Sequence, residues 1–111
     1  MSSVFNVKKL NEGTGPVCPP GARVLVHYTG RFLDSGKKFD SSYDRDEPLD
    51  FIVGRGNVIK CWDQGITQLQ KGQKAVLTCP PDVAYGPKGI QGAIPGNSTL
   101  VFDVELLNFK K

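Results

Sequence analysis

Val58-Ile59-Lys60-Cys61-Trp62 opens the one stretch of this chain with a helical apolar period, and it holds the only tryptophan. Ile59, Trp62, Ile66 and Leu69 recur at spacings of three, four and three, which places them on one helical face. Lys71 falls in the last turn and Gly72 follows as the C-terminal stop. The chain on either side reads as strands and turns. A lone short helix in such a chain must press its apolar face against a sheet. Trp62, large and amphipathic, suits either plain core packing or the wall or floor of a site.

Working outward, Leu49 to Val53 reads as a strand that ends at Gly54-Arg55-Gly56. Upstream, Val4 to Lys9 forms a first strand, followed by a Gly/Pro-rich turn from Asn11 to Gly21. Arg23 to Gly30 alternates, with Val24, Val26 and Tyr28 facing one way and Arg23, Leu25 and His27 the other. Leu33 to Lys37 is a hairpin-like turn, Lys38 to Ser41 extends again, and Asp44 to Pro48 turns. Downstream, Gln73 to Cys79 is a strand with Ala75, Leu77 and Cys79 on one face, ended by Pro80-Pro81. Asp82 to Asn97 is a long structured loop of the kind that usually carries function. Thr99 to Phe109 is the longest strand, with Leu100, Phe102, Val104 and Leu106 on one face and Asp103 and Glu105 opposite. The fold class is α+β: an antiparallel sheet curled over one short helix, in a single domain spanning 1–111.

Charge and composition exclude several classes. The net charge is +3 and the basic residues are scattered, whereas a nucleic-acid binder shows a dense basic stripe. Hydrophobic content of 39% is ordinary for a globular chain, and no apolar run reaches transmembrane length. Met1-Ser2-Ser3-Val4 lacks the apolar segment of a signal peptide. Cys18, Cys61 and Cys79, odd in number and without a CxxC, suggest reduced thiols in a cytoplasmic setting. Asn97-Ser98-Thr99 fits a glycosylation acceptor, but without secretion it reads as turn chemistry.

The common catalytic constellations are also missing. One histidine and three dispersed cysteines lack metal-ligand spacing, so neither metal nor cofactor is expected. His27 points away from the Tyr28 face, and no nucleophile motif accompanies it. Gly54-Arg55-Gly56 begins like a dinucleotide fingerprint, yet Ile59 stands where the third glycine belongs. What remains is an aromatic set: Tyr28, Phe39, Phe51, Trp62, Tyr85 and Phe102, with Asp40 beside Phe39 and Arg45 a turn later. Each alone suits a core. Together they bring many polar tips and few aliphatics, and a cavity of aromatics with a few polar groups is the usual form of a small-ligand pocket.

The ordered blocks of the chain resemble a known family. Val26-His27-Tyr28-Thr29-Gly30, Lys38-Phe39-Asp40-Ser41-Ser42 with Asp44-Arg45, Val58-Ile59 before Trp62 and Gly65, Ala84-Tyr85-Gly86, and Ile94-Pro95-Gly96 running through Leu107 are similar to the single-domain FKBP-type peptidyl-prolyl cis-trans isomerases, the macrolide-binding immunophilins. The resemblance implies a five- or six-stranded antiparallel half-barrel around the helix, with a proline-binding cavity between them. Carried over position by position, Trp62 is the cavity floor and Tyr28, Phe39 and Phe102 its walls. Val58 and Ile59 form the edge, with the Ile59 N–H offered to a substrate carbonyl. Tyr85 offers its hydroxyl from the long loop, Ile94 closes the loop side, and Asp40 is held by Tyr28 and Arg45. Four positions depart from the commonest pattern: Leu49 where an aromatic is common, Asn57 for a frequent glutamate, Cys61 for a frequent glycine, and Ile90 for a frequent histidine at the loop tip.

What the resemblance implies is an enzyme that rotates X-Pro peptide bonds in folding or regulation, without cofactor or proton transfer. Implied partners are proline-containing peptides and proteins, macrolides such as rapamycin and tacrolimus, and a drug-dependent phosphatase or kinase. Nucleic acid and membrane are not among them, and a monomer is expected. The competing expectation is a non-catalytic module that holds a proline-containing segment through the 82–97 loop.

Overall fold

A computed structural model describes residues 5–110. Its centre is a pair of long antiparallel strands, β3 (Arg23–Phe32) and β8 (Leu100–Lys110), joined in register from Arg23↔Lys110 to Phe32↔Leu100. Both alternate apolar and polar residues, so each buries one face by its own period of two. Val24, Val26 and Tyr28 of β3 are buried, as are Leu100, Phe102, Val104 and Leu106 of β8. A shift in register between Leu25 and Val26 absorbs one extra residue in β8. Beyond it, Phe109 is the half-buried position instead of the exposed Asn108. Each fully buried aliphatic here contributes roughly 1.5–3 kcal/mol.

Around this pair lie β1 (Asn6–Lys9), β7 (Lys74–Cys79), β4 (Lys38–Ser41) and β5 (Leu49–Ile52). The described sheet has six strands, five of them in the order β1-β7-β8-β3-β4 with β5 also paired to β3, all pairs antiparallel. β5 pairs with the first half of β3, on Arg23 to Val26, and β4 with its end, on Thr29 to Arg31. The open edge of β3 is thereby shared between two short strands. The chain leaves the sheet between them, from Ser42 to Pro48, and that excursion carries Arg45 back toward Asp40. The Val4 end of the expected first strand lies outside the described residues. The α+β class and the antiparallel sheet over one helix are as expected, and the sheet is not closed into a barrel.

The helix α1 runs Lys60–Ile66, shorter than its apolar period implies. Thr67 ends it: its hydroxyl donates to the Asp63 carbonyl at 2.8 Å and competes with the helical bond. Two tight turns follow, Gln68 N–H to Gly65 O and Leu69 N–H to Ile66 O, and these still deliver Leu69 to the core. Gln70–Lys71 is then a strand, β6, paired with β2 (Thr14–Val17). Lys71 is therefore not in a helical turn, and Gly72 is no helix stop. It sits at φ +79 in the turn from β6 to β7 and donates its N–H to Leu106 O.

Buried Cys61, Trp62, Gly65 and Ile66 face the sheet from α1. A Cβ on Gly65 would meet Leu77 of β7 at 2.9 Å, so a glycine lets the helix lie that close. The same approach brings Cys61 against Cys79, with Cα atoms 5.8 Å apart, and the two form a disulfide. This corrects the expectation of three reduced thiols. Only Cys18, the residue after β2, is free; it is buried, and burial pushes its thiol up to about 11. Spacing along the chain cannot reveal such a pair, because the helix and β7 make it in space.

Candidate active site

Between α1, the inner face of β3 and β8, and the 81–98 segment lies a cavity of about 200 Å³. Trp62, only 3% exposed, forms its floor. Perpendicular rings surround the indole: Tyr28 at 4.8 Å and 77°, Phe102 at 5.3 Å and 88°. Phe39 stands edge-on to Phe102 at 5.7 Å, and Phe51 lies 5.9 Å from Trp62. Edge-to-face contacts of this kind hold rings in fixed directions. The Trp62 Nε1 hydrogen is buried and finds no acceptor among the described residues.

One side of the cavity is polar. The Tyr28 hydroxyl donates to Asp40 Oδ2 at 2.6 Å, and Arg45 binds both partners, donating to Asp40 Oδ1 at 2.5 Å and to the Tyr28 oxygen at 2.7 Å. Burial alone pushes the Asp40 carboxyl up. The hydrogen bonds from Tyr28 and Arg45, with the Arg45 charge, outweigh it, and Asp40 lies below the usual carboxylate range. Tyr28 is shifted upward, first by burial and then by its bond to Asp40, against the opposing effect of Arg45. Tyr85 is also raised, by burial and by the Asp40 charge. At neutral pH the wall is thus an anionic carboxylate locked between a phenol and a guanidinium.

The opposite edge is Asn57, Val58 and Ile59, with Leu49 beside them. Ile59 is extended at φ −61 and ψ 152, just before α1. Its carbonyl accepts from Trp62 and Asp63 at the start of the helix, whereas its N–H makes no hydrogen bond among the described residues.

The family match covers residues 15–107 and is described as an FKBP-type peptidyl-prolyl cis-trans isomerase. The chain belongs to that family. It is 57% identical over 102 residues to a Drosophila melanogaster protein, peptidyl-prolyl cis-trans isomerase Fkbp12, covering 91% of this chain and 94% of the relative. It is 52% identical over 105 residues to the Xenopus laevis peptidyl-prolyl cis-trans isomerase FKBP1A, covering 94% and 96%. An Aspergillus fumigatus FK506-binding protein 1A is 58% identical over 87 residues, 78% of this chain and 77% of that one. The chain is an isomerase of the rotamase class.

In this FKBP-type isomerase, most of the side chains singled out by sequence converge on one cavity. Tyr28, Phe39, Asp40, Leu49, Asn57, Val58, Ile59, Trp62, Tyr85 and Phe102 line it. Arg45 stands behind the polar wall. Ile90 and Ile94 do not line it: they bridge to each other across the loop tip and border a separate hollow of about 280 Å³. Ile94, expected to close the loop side, is buried with the hydrophobic core and is not among the residues that line the cavity. A roomier groove of about 590 Å³ runs between Leu33-Asp34-Ser35 and Pro95 to Thr99, without the ring of aromatics.

His27 lies on the other face of β3, its ring stacked on Tyr43 at 4.4 Å and its Nδ1 bonded to Ser42 Oγ at 2.7 Å. Two residues that stand in the resembling blocks without an assigned role support the site. Ser42, fully buried, accepts the Tyr28 N–H at 2.7 Å and fixes the main chain behind the phenol. Gly30 leaves room for the wall, because a Cβ there would meet Phe39 at 2.6 Å and Phe102 at 2.9 Å. A glycine at an inward position of an alternating strand was the signal for the second. Nothing local marks the first.

Proposed function

We propose that this cavity is where the isomerase acts: it takes the ring of an X-Pro segment and eases rotation about the preceding amide. The observation that carries the proposal is the enclosure of one small apolar volume by Trp62, Phe39 and Phe102, with the Tyr28–Asp40–Arg45 cluster at its side. A core residue ordinarily finds an acceptor for its indole N–H, so the bare Trp62 Nε1 supports a floor kept for a guest.

The amide barrier is about 18–20 kcal/mol, because rotation breaks resonance. Spontaneous X-Pro exchange takes roughly tens to hundreds of seconds. Each ~1.4 kcal/mol removed gives about tenfold, so ~6 kcal/mol gives roughly four orders of magnitude. A planar amide is strongly charge-separated and the twisted one less so. An apolar, water-poor cavity disfavours the planar form more. Shape complementarity to the twisted form adds to this. Trp62, Phe39 and Phe102 grip the ring, the Ile59 N–H takes a substrate carbonyl, and Asp40 with Tyr28 faces the rotating region. Tyr85 offers its hydroxyl from the loop. No bond is made or broken and no proton moves.

The same cavity is the proposed seat for macrolides of the rapamycin and tacrolimus kind. A relative's name, FK506-binding protein 1A, supports that. The pairing of Cys61 with Cys79 removes the odd cysteine count as an argument for the cytoplasm.

The test is a protease-coupled isomerase assay on succinylated tetrapeptides with rapamycin titration. Acceleration that rises with enzyme and falls at one equivalent of macrolide is expected, with Asp40→Val slower. Natively folded protein that binds a proline peptide yet leaves its exchange at the spontaneous rate would establish the binding-module alternative.

A further inference from the structure

We propose that Asp63 is a positioning residue for the isomerase reaction, holding the main chain that forms the substrate-facing edge of the cavity; the proposal rests on that cavity being the site. Asp63 sits in the first turn of α1, where an acidic side chain ordinarily serves its own helix end. Here both carboxylate oxygens leave the helix. Oδ1 accepts the Gly54 N–H at 2.7 Å and Oδ2 accepts the Gly56 N–H at 2.9 Å.

Two N–H groups of one loop on one carboxylate form a charge-assisted clamp with a defined direction. Gly54 and Gly56 have φ of +80 and +76, so both are in the left-handed region that glycine adopts without strain. The loop is otherwise exposed from Gly54 to Asn57 and carries no buried side chain. Its other tie is Asn57 Nδ2 to Ile52 O at 3.1 Å.

The clamp matters because of what flanks it. Immediately after Gly56 come Asn57, Val58 and Ile59, the cavity edge. Immediately before Asp63 comes Trp62, the cavity floor. One turn of helix therefore carries both the floor and the tether of the edge, and the tether limits where the Asn57–Ile59 main chain can lie relative to the floor. Without it, water replaces the carboxylate and the edge wanders relative to the floor. Binding of the planar and the twisted amide then weakens together, which appears in KM rather than kcat.

The experiment compares wild type with Asp63→Ala and the isosteric Asp63→Asn, which keeps one acceptor oxygen. Steady-state isomerisation of a succinylated tetrapeptide is measured together with amide hydrogen exchange. The expected result is a KM raised about tenfold in Asp63→Ala with kcat within about twofold, and an intermediate KM in Asp63→Asn. Exchange at Gly54 and Gly56 is expected to accelerate while that of β3 and β8 does not. An unchanged KM in both variants, or unchanged exchange at the two glycines, overturns the proposal. Phe39→Ala runs alongside: if it too leaves kcat/KM unaltered, the cavity itself is misassigned, whereas slower turnover in Phe39→Ala with an unaffected Asp63→Ala discards the clamp alone.

Discussion

Two regions border the same cavity and are held by different physics. The α1 side is packed: Cys61, Trp62, Gly65 and Ile66 are buried, the helix lies against Leu77, and a disulfide ties it to β7. The 81–98 side is held by main-chain bonds: Gly86 N–H to Pro81 O at 2.8 Å, Asn97 N–H to Gly86 O at 2.9 Å, and a two-way exchange between Ile90 and Ile94 at 2.7 and 2.8 Å. Its larger side chains Tyr85 and Ile90 remain substantially exposed. Packing defines a shape but tolerates little change, because interiors are dense. Backbone turns define a path and leave the side chains free. The floor therefore sets what fits, and the loop sets what else is touched.

The strongest test of that contrast is Trp62→Ala. Removal of a buried aromatic costs about 3–5 kcal/mol, and ligand binding should suffer more than the fold. Urea denaturation and macrolide titration check both; retained affinity with full loss of stability would reduce Trp62 to core. Next in size is reduction of the disulfide, or Cys61→Ala with Cys79→Ala. A link across 18 residues of separation is worth about 3 kcal/mol by loop-closure entropy. Calorimetry with and without reductant reads it, and an unmoved Tm would show the floor to be held by packing alone.

On the loop side, Gly89→Ala should cost about 1–3 kcal/mol locally. Gly89 has φ +62, and a Cβ there would collide with the Ile94 carbonyl oxygen and lie 2.7 Å from the Pro95 carbonyl carbon. Hydrogen exchange should rise in the loop while β3, β8 and α1 keep their protection. Exchange that rises throughout the sheet would erase the distinction between the two regions.

The smallest effect concerns the polar wall. Asp40 has its folded pKa depressed. Its contribution to stability is therefore present above the ordinary carboxylate pKa and is lost only as pH falls through the lower, folded value. Its side chain is 40% exposed, so solvent screens that contribution to a small one. Activity and stability should show no Asp40 step from neutrality down to the ordinary carboxylate range, then decline below it. An Asp40 carboxyl resonance that titrates above the ordinary value would show that burial prevails over Arg45.

Much of this was legible in the residues, and the illegible remainder has one cause. Period-two alternation marks β3 and β8 because each strand buries one face whatever lies across from it, and a period near 3.6 marks the start of α1 for the same reason. The ordered blocks from Val26 to Leu107 carry the family. These are properties of neighbours in sequence, so sequence alone determines them. The pairing of Gln70–Lys71 with β2, the Cys61–Cys79 bond, Ser42 behind Tyr28 and the reach of Asp63 to Gly54 and Gly56 were decided only by tertiary structure. Each is a contact between segments that meet only when the chain folds back on itself, and no local period records which residues then lie opposite one another.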